Sequence, residues 1–288
     1  MAYETIEVQP MAGALGAEIS GAELTNLTNQ AFREIHKALL EHQVLYFDDV
    51  SLDDDQLEAF TLQFGPFGDT PFVACMPNNP NIIEVRKDAD ETGINFGGRW
   101  HSDFSFQEIP PSLTLLNACT VPAVGGDTLY ADMYSAYETL SDGMKTMLEG
   151  RRAIHSARRS YGTGGRFTAN PNLTRMPVNP SPEANAEVAH PIVRTHPETG
   201  RKALYVNAVY AVRLEGMTET ESAPVLGFLC NQSTRPELTC RVRWGERGLV
   251  VWDNRCTQHY AVNDYHGFRR EMRRTAFTGY SITDFTTR

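Results

Sequence analysis

The chain has 288 residues, of which 41% are hydrophobic and 22% charged, as in an ordinary soluble enzyme with a well-buried core. Its formal net charge is −10 at pH 7, and because an acidic surface repels phosphate backbones, we expect no nucleic-acid partner. No apolar run reaches the ~18 residues of a membrane helix, and the first residues lack the pattern of a signal peptide. The five cysteines form no C-x-x-C pair, so we expect free thiols in a cytoplasmic protein without a disulfide framework or structural zinc.

The first part of the chain alternates short strands with two helices. Residues 5–8 and 15–19 are predicted to form short strands. Residues 29–43 carry apolar side chains at helical spacing, with Thr28 or Asn29 as the N-cap. Residues 44–47 then predict a buried strand. Residues 52–64 predict a second helix, whose acidic first turn suits the positive end of the helix dipole.

From about residue 81 onward, short strand-like runs separated by Gly- and Pro-containing turns dominate, which favours a β-sandwich or barrel. The runs are 82–86, 112–119, 128–131, 190–195, 202–207, 239–244, 249–252 and 273–281. Two helical segments interrupt them, near 136–150 and 219–231.

The stretch 161–187 is rich in Gly, Pro, Asn and Arg and is too long for a simple connector, so we interpret it as an active-site lid. No other break resembles a domain linker. We therefore expect residues 1–288 to form a single domain, mainly β with flanking helices, built as a double-stranded β-helix (a cupin-like jelly roll).

Three residues in two remote motifs can form a metal site. His101 and Asp103 lie two positions apart on an extended segment, so their side chains point the same way. His259 follows a buried apolar strand, 156 positions after Asp103. Two histidines and one carboxylate on a single face form the facial triad of non-haem iron oxygenases. The H-x-D pair alone is weak evidence, because it also occurs in surface turns.

A predicted strand at 270–277 carries two arginines on one face. Strand alternation places Arg270, Met272, Arg274 and Ala276 together. If this face points inward, each buried guanidinium needs an anion, and a carboxylate can bind it in bidentate fashion. One diacid cosubstrate and one acidic substrate would satisfy both. A solvent-facing basic cluster on an edge strand explains the periodicity equally well.

With these elements in place, the sequence resembles the taurine / 2,4-dichlorophenoxyacetate dioxygenase family over almost its whole length. The matching blocks are 100–103 with Phe106, 110–111, 125–128, 190–197, 204–207, 252–259, and Arg270 with Arg274. Within the family, the segments 201–207, 213–218 and 239–244 look most like the phenoxypropionate dioxygenases.

The resemblance implies a role for each matching residue. His101, Asp103 and His259 match the iron(II) ligands. Thr128 and Arg270 match the pair that holds the distal carboxylate of the cosubstrate 2-oxoglutarate, and Arg274 matches the arginine that grips the acidic head of the substrate. The positions that wall the substrate pocket are matched by Phe106, Tyr161 and Tyr210.

The sequence also departs from taurine dioxygenase near the substrate. Thr70 and Val73 replace a histidine and a tyrosine, and Gly97 replaces an asparagine. Taurine is therefore not the expected substrate. An aryloxy- or alkyl-carboxylate or an alkylsulfonate fits better, hydroxylated by dioxygen next to its heteroatom or acidic group with release of succinate and carbon dioxide. Retention of Asp103 argues for hydroxylation rather than halogenation.

Other interpretations of the same residues remain. The substrate could be an amino acid or an alkyl sulfate. The three metal-site residues could also serve a zinc hydrolase, although such an enzyme has no use for Arg270 and Thr128. A non-catalytic jelly-roll binding protein is a further alternative. Such a protein is expected to lack one of the metal ligands, whereas all three are present here. Folds of this kind commonly assemble, so we expect a homo-oligomer.

Overall fold

The computed structural model describes residues 3–170 and 174–279. The strands in these ranges are β1 (Glu7–Pro10), β2 (Ala17–Ser20), β3 (Val44–Asp48), β4 (Ile83–Lys87), β5 (Leu113–Thr120), β6 (Thr128–Asp132), β7 (Arg152–His155), β8 (Val188–Pro191), β9 (Val193–Thr195), β10 (Lys202–Leu204), β11 (Ala211–Leu214), β12 (Thr239–Val242), β13 (Gly248–Asp253), β14 (Thr257–Ala261) and β15 (Arg270–Phe277). The α-helices are α1 (Asn29–His42), α2 (Asp54–Leu62), α3 (Met133–Glu138), α4 (Asp142–Leu148), α5 (Arg158–Tyr161), α6 (Arg166–Ala169) and α7 (Glu219–Ser233).

Two sheets enclose the part of the core that supports the site. The larger has the order β1-β2-β3-β13-β5-β15-β4, and the smaller has the order β12-β6-β14. Strand β13 shows why they pack: Val250 and Trp252 join a buried cluster shared with β6 and β12, whereas Leu249 and Val251 face a second cluster. Both faces of this strand are buried, so its sequence is a continuous apolar run.

Helices α1 and α2 cover the second face of the large sheet. Ile35, Leu39, Leu57 and Phe60 are buried in the cluster that contains the outward side chains of β3, β5 and β13. The side chain of Thr28 accepts a hydrogen bond from the backbone of Ala31, so the predicted N-cap is confirmed.

A third packing region flanks the site. Strands β11, β7 and β8 form one small sheet, and β10 and β9 form a pair. Their inward side chains pack with α3 and α7 in a separate apolar cluster that includes Leu204, Leu214 and Leu229.

The structure corrects several of the expected elements. The single helix expected near 136–150 is wrong: α3 and α4 are separate, because the side chain of Ser141 caps the start of α4 after a turn. The run 190–195 is divided between β8 and β9, and 202–207 is regular only over β10. Strands β7, β11 and β14 were not expected. The last strand, expected over 273–281, ends at Phe277 because Thr278 and Gly279 are not in a strand, and residues 280–281 lie outside the described residues.

In the described part of the chain, no helix combines the length and the apolar character needed to span a membrane. All five cysteines are free thiols.

Candidate active site

A backbone pairing joins the two remote metal motifs. The His101 amide donates to the carbonyl of His259 at 3.1 Å, and the His259 amide donates to the carbonyl of His101 at 2.8 Å. His259 lies inside β14, next to β6, rather than at a strand end. The imidazole rings are consequently neighbours, with centroids 4.1 Å apart.

The three side chains converge on one point. Asp103 Oδ1 lies 3.7 Å from His101 Nε2 and 3.8 Å from His259 Nε2. All three residues are buried and can each offer one ligand atom, and these atoms lie within 4.8 Å of one another. Two imidazole nitrogens and one carboxylate oxygen are a donor set that suits iron(II) or manganese(II).

Electrostatics favour the protonation states that a divalent cation needs. Burial lowers the pKa of His259 to about 3, with the neighbouring His101 contributing in the same direction. Burial also lowers the pKa of His101. For Asp103, burial opposes ionisation, but Arg274 and the two histidines outweigh it and hold the carboxyl pKa below its ordinary value. Both imidazoles are thus neutral and the carboxylate is charged.

Strand β15 directs alternate side chains inward, so the interpretation of an inward-facing arginine pair is confirmed and the solvent-facing cluster is wrong. Arg270, Met272 and Arg274 are all buried. Arg274 Nη2 lies 2.9 Å from Asp103 Oδ2, although this ion pair lacks hydrogen-bond geometry. The guanidinium of Arg274 also lies over the ring of Phe104.

The buried guanidinium of Arg270 has only part of its hydrogen-bonding capacity satisfied. Its Nε donates to the carbonyl of Gly126 at 3.0 Å, while its buried Nη2 has no hydrogen-bond partner among the described residues. Gly126 has a φ of +72°, and a Cβ there would lie 3.1 Å from the Arg270 side chain, so glycine permits this approach. The hydroxyl of Thr128 accepts from Trp244 Nε1 at 3.1 Å. A buried guanidinium with a spare N–H indicates a missing anion.

One cavity connects the arginine pocket with the metal-site residues. Its lining includes His101, Asp103, Thr128, His259, Arg270 and Arg274. The structure therefore brings together the metal site, the expected cosubstrate pair and the expected substrate arginine.

A second, aromatic cavity shares His101 and Asp103 with the first. It is lined by Phe96, Gly97, Phe104, Tyr161, Arg166, Phe167 and Tyr210, among others. Tyr161 and Phe167 stack with centroids 5.4 Å apart, and both lie in or near the stretch expected to form a lid. Of these residues, the sequence pointed only to Tyr161 and Tyr210 as walls; Phe96, Phe104 and Phe167 carried no motif that would single them out.

Three of the expected pocket residues stand further back. Phe106 is outside the lining of both cavities but contacts Tyr210, with centroids 4.9 Å apart. Val73 is buried in the same apolar cluster and pairs with Val178. Thr70 also lies outside both linings, and its hydroxyl contacts Cys75 Sγ at 3.1 Å.

Residues 174–179, which we call the cover segment, are fastened beside this wall. The Ala74 amide donates to the Pro177 carbonyl and the Asn179 amide donates to the Phe72 carbonyl, both at 2.9 Å. Arg175 forms two 2.8 Å contacts to the carboxylate of Asp90.

Three further histidines have structural partners. His155 is fully buried. Its Nδ1 shares a 3.0 Å hydrogen bond with Ser105 Oγ, and its ring stacks on Tyr205. His190 contacts the carbonyl of Gln107 at 2.9 Å. His196 contacts Asp253 Oδ2 at 3.0 Å, and Arg255 donates to both oxygens of the same carboxylate. These contacts indicate structural roles for His155, His190 and His196.

Comparison with known proteins decides the family. The family described as "Taurine catabolism dioxygenase TauD, TfdA family" matches residues 7–276. The chain belongs to this family. An alkylsulfatase of Acinetobacter baylyi is 35% identical over 97% of this chain and 87% of its own length. An alpha-ketoglutarate-dependent 2,4-dichlorophenoxyacetate dioxygenase of Cupriavidus pinatubonensis is 33% identical over 94% and 96%.

Among solved structures, AAD-2 in complex with Mn(II) and N-oxalylglycine has a TM-score of 0.77 and 30% identity, covering 96% of this chain and 99% of AAD-2. The jelly roll predicted from the sequence is therefore confirmed. This TauD/TfdA-family protein is an oxidoreductase that uses Fe(II), 2-oxoglutarate and dioxygen on a small organic substrate. The dioxygenase interpretation thus holds against the zinc hydrolase and the non-catalytic binding protein.

Proposed function

We propose that His101, Asp103 and His259 hold the iron of this dioxygenase. The observation that carries the proposal is that His101, Asp103 and His259 each offer one ligand atom within 4.8 Å of the others, and that all three are buried and line one cavity. Three protein ligands leave the other coordination positions open to cosubstrate and dioxygen. Bound iron would supply the activation of dioxygen, coupled to decarboxylation of 2-oxoglutarate to succinate.

The residues that we assign to the cosubstrate are Arg270 and Thr128. The spare Nη2 of Arg270 can bind a carboxylate, and the Thr128 hydroxyl, which accepts from Trp244, keeps its own proton to donate. The pair lies in the cavity that contains the metal-site residues, so the far carboxylate of 2-oxoglutarate would be fixed there and its other end directed toward the metal.

For the substrate, we propose a small organic acid with an apolar body. Arg274 supplies a buried positive charge in the cavity of the metal-site residues, and the aromatic side chains of the second cavity supply an apolar surface. Tyr161, Tyr210 and, from behind, Phe106 shape this wall, while Val73 acts at greater distance through the apolar cluster and Thr70 through its contact with Cys75. Aryloxy- and alkyl-carboxylates and sulfonates fit these features.

Alkyl sulfates are the second candidate substrates. The name of the Acinetobacter baylyi relative favours a sulfate ester, whereas that of the Cupriavidus pinatubonensis relative favours an aryloxy acid. A sulfate presents the same single negative charge to Arg274, so the choice depends on the shape of the apolar wall. Hydroxylation beside the ester or ether oxygen would release sulfate or a phenol.

We further propose that the chain is a single domain whose lid comprises residues around 161–187. The support is that Tyr161 and Phe167 line the aromatic cavity, and that the cover segment is hydrogen-bonded to Phe72, which packs behind Tyr161. A homo-oligomer in the cytoplasm is our inference for assembly and location, the latter supported by five free thiols.

Succinate release tests the proposed metal site. With iron, ascorbate and 2-oxoglutarate, the protein is screened against aryloxy acids, alkyl sulfates, alkylsulfonates and amino acids. We expect Asp103→Ala to lose succinate release by at least a hundredfold, because the only carboxylate of the triad is gone. The exposed Asp142→Ala serves as the matched control and should keep full activity. Normal 2-oxoglutarate turnover in Asp103→Ala would contradict the assignment.

A further inference from the structure

The two oxygens of the Asp103 carboxylate have different surroundings. Oδ1 faces the two histidine Nε2 atoms, at 3.7 and 3.8 Å. Oδ2 accepts a 2.7 Å hydrogen bond from the hydroxyl of Thr114 and lies 2.9 Å from Arg274 Nη2. The protein therefore occupies one oxygen and leaves the other free for a cation. Thr114 belongs to β5 of the large sheet, not to either metal motif.

The Thr114 hydroxyl is itself held by a hydrogen-bond chain. Asn254 Nδ2 donates to Thr114 Oγ1 at 2.8 Å. Asn254 Oδ1 accepts from the indole Nε1 of Trp252 at 3.0 Å and from the Asp103 amide at 3.2 Å. Thr114, Asn254 and Trp252 are each at most 1% exposed, so no solvent competes for these groups.

The direction of this series of hydrogen bonds is fixed at Asn254, by the two groups that donate to its oxygen. An indole N–H and a backbone amide can only donate, so they require the oxygen of Asn254 on their side and its NH₂ on the side of Thr114. Because the Thr114 oxygen accepts from that NH₂, the Thr114 proton is available for Asp103 Oδ2. The orientation of the hydroxyl is therefore set by residues of β13 and the turn that follows it.

We propose that Thr114, and through it Asn254 and Trp252, are positioning residues that hold Asp103 so that only Oδ1 meets the metal. This inference rests on the proposed metal site. Groups that hydrogen-bond to ligating carboxylates fix ligand orientation, and their removal commonly lowers metal affinity by ~10–100-fold. The Trp252-Asp253-Asn254 run lies ahead of His259 in the chain, so one segment supplies both a ligand and the support of another.

The test is Mn(II) affinity of the metal-free protein, measured by titration with electron paramagnetic resonance of the free ion. We expect Thr114→Val, which keeps the shape but lacks the hydroxyl, to bind Mn(II) about tenfold more weakly. Thr114→Ser should restore the affinity to within about threefold, because it restores the donor. The matched control is Thr61→Val, a buried threonine whose hydroxyl contacts Leu57 and Thr275 and is absent from both site cavities.

A second variant tests the hydrogen bond from Asn254 to Thr114 rather than the Thr114 hydroxyl itself. In Asn254→Asp, the oxygen that replaces Nδ2 can only accept, so the Thr114 proton turns toward it and leaves Asp103. The added negative charge alone would strengthen cation binding, so weaker Mn(II) binding reports the lost orientation. Unchanged or tighter binding in this variant would overturn the proposal, as would Thr114→Val binding within threefold of the unaltered protein.

These outcomes are distinct from a failure of the metal site. If the unaltered protein binds no Mn(II), the assignment of His101, Asp103 and His259 fails, and the positioning role falls with it. If the unaltered protein binds and Thr114→Val binds equally well, only the positioning role is wrong. Thermal unfolding of each metal-free variant identifies any that does not fold, and the other substitution then decides.

Discussion

At the scale of single residues, the cosubstrate pocket depends on how one hydroxyl is oriented. Thr128 Oγ1 accepts from Trp244 Nε1, and the Arg270 guanidinium lies 5.7 Å from the Trp244 ring. The tryptophan therefore touches both residues assigned to the distal carboxylate of 2-oxoglutarate. It binds no cosubstrate atom in this assignment, but it determines where the threonine proton points.

Trp244→Phe should weaken 2-oxoglutarate binding about fivefold, which corresponds to one hydrogen bond of roughly 1 kcal/mol. The measurement is an anaerobic titration of the Fe(II) protein with 2-oxoglutarate, followed by the visible charge-transfer band. Mn(II) affinity is the control and should not change, because Trp244 is not among the residues that line the cavity of the metal site. An unaltered 2-oxoglutarate titration would count against the orienting role.

The sequence pointed to the first contacts of the site but not to their supports. His101 and Asp103 could be paired because alternate side chains of an extended segment share a face. Thr114, Trp244 and Asn254 carry no such signal, because Thr114 meets Asn254, and Trp244 meets Thr128, across more than 100 positions of sequence. Their hydrogen bonds become apparent only once β5, β6 and β13 have their neighbours.

At the scale of elements, β15 separates two kinds of arginine on its two faces. Arg270 and Arg274 are buried toward the cavity, whereas Arg273 pairs on the opposite face with Asp54, Glu84 and Glu271. Neighbouring residues of one strand thus offer a matched pair for testing the substrate arginine.

Arg274→Ala should abolish the coupling of 2-oxoglutarate decay to any acidic substrate, because the buried positive charge that receives the acid is lost. Binding of 2-oxoglutarate should persist, since Arg270 and Thr128 are intact. Arg273→Ala should retain coupling and lose at most about 1 kcal/mol of stability, as expected for partly exposed ion pairs. Comparable coupling in the two variants would remove Arg274 from the substrate site.

The elements that the sequence missed share a physical reason. Strands β7, β11 and β14 have only four or five residues, and their burial does not alternate regularly. Short strands of this kind are stabilised by their neighbours rather than by their own pattern. The helix expected at 136–150 was wrong for a different reason. Its apolar residues keep helical spacing across the turn between α3 and α4, but the side chain of Ser141 starts a new helix there.

At the scale of the whole molecule, buried neutral histidines link stability to pH. Burial, with Arg194 nearby, lowers the pKa of His190 to about 4, and burial holds the pKa of His155 well below its ordinary value. The unfolded chain therefore binds protons more readily than the folded protein once the pH falls below about 6.5. Stability is lost from there down to about pH 4, the folded pKa of His190.

For His190 alone, this linkage amounts to roughly 2 kcal/mol lost between pH 7.5 and pH 5. His190→Gln should reduce the difference in unfolding free energy between the two pH values by about that amount, measured by denaturant titration. The exposed His266→Gln is the control and should keep the full difference. An identical pH dependence in His190→Gln would contradict a neutral buried His190.

The fold class could be predicted from many short strands separated by turns, but the strand order could not. The order β1-β2-β3-β13-β5-β15-β4 places the last strands of the chain between early ones, and such pairings depend on contacts across most of the sequence. The same long-range pairing brings His259 beside His101. The site residues could therefore be predicted from the sequence more readily than the strand pairing that brings them together.

The attachment of the cover segment to Phe72 and Ala74 has a consequence for engineering. Val73 and Val178 pair directly, and Phe72 packs against both Phe106 and Tyr161. Enlarging the cavity for a bulkier molecule cannot be confined to one side, because a shift at residue 73 also displaces the cover segment that is paired with it. Libraries aimed at new substrates should randomise both partners together.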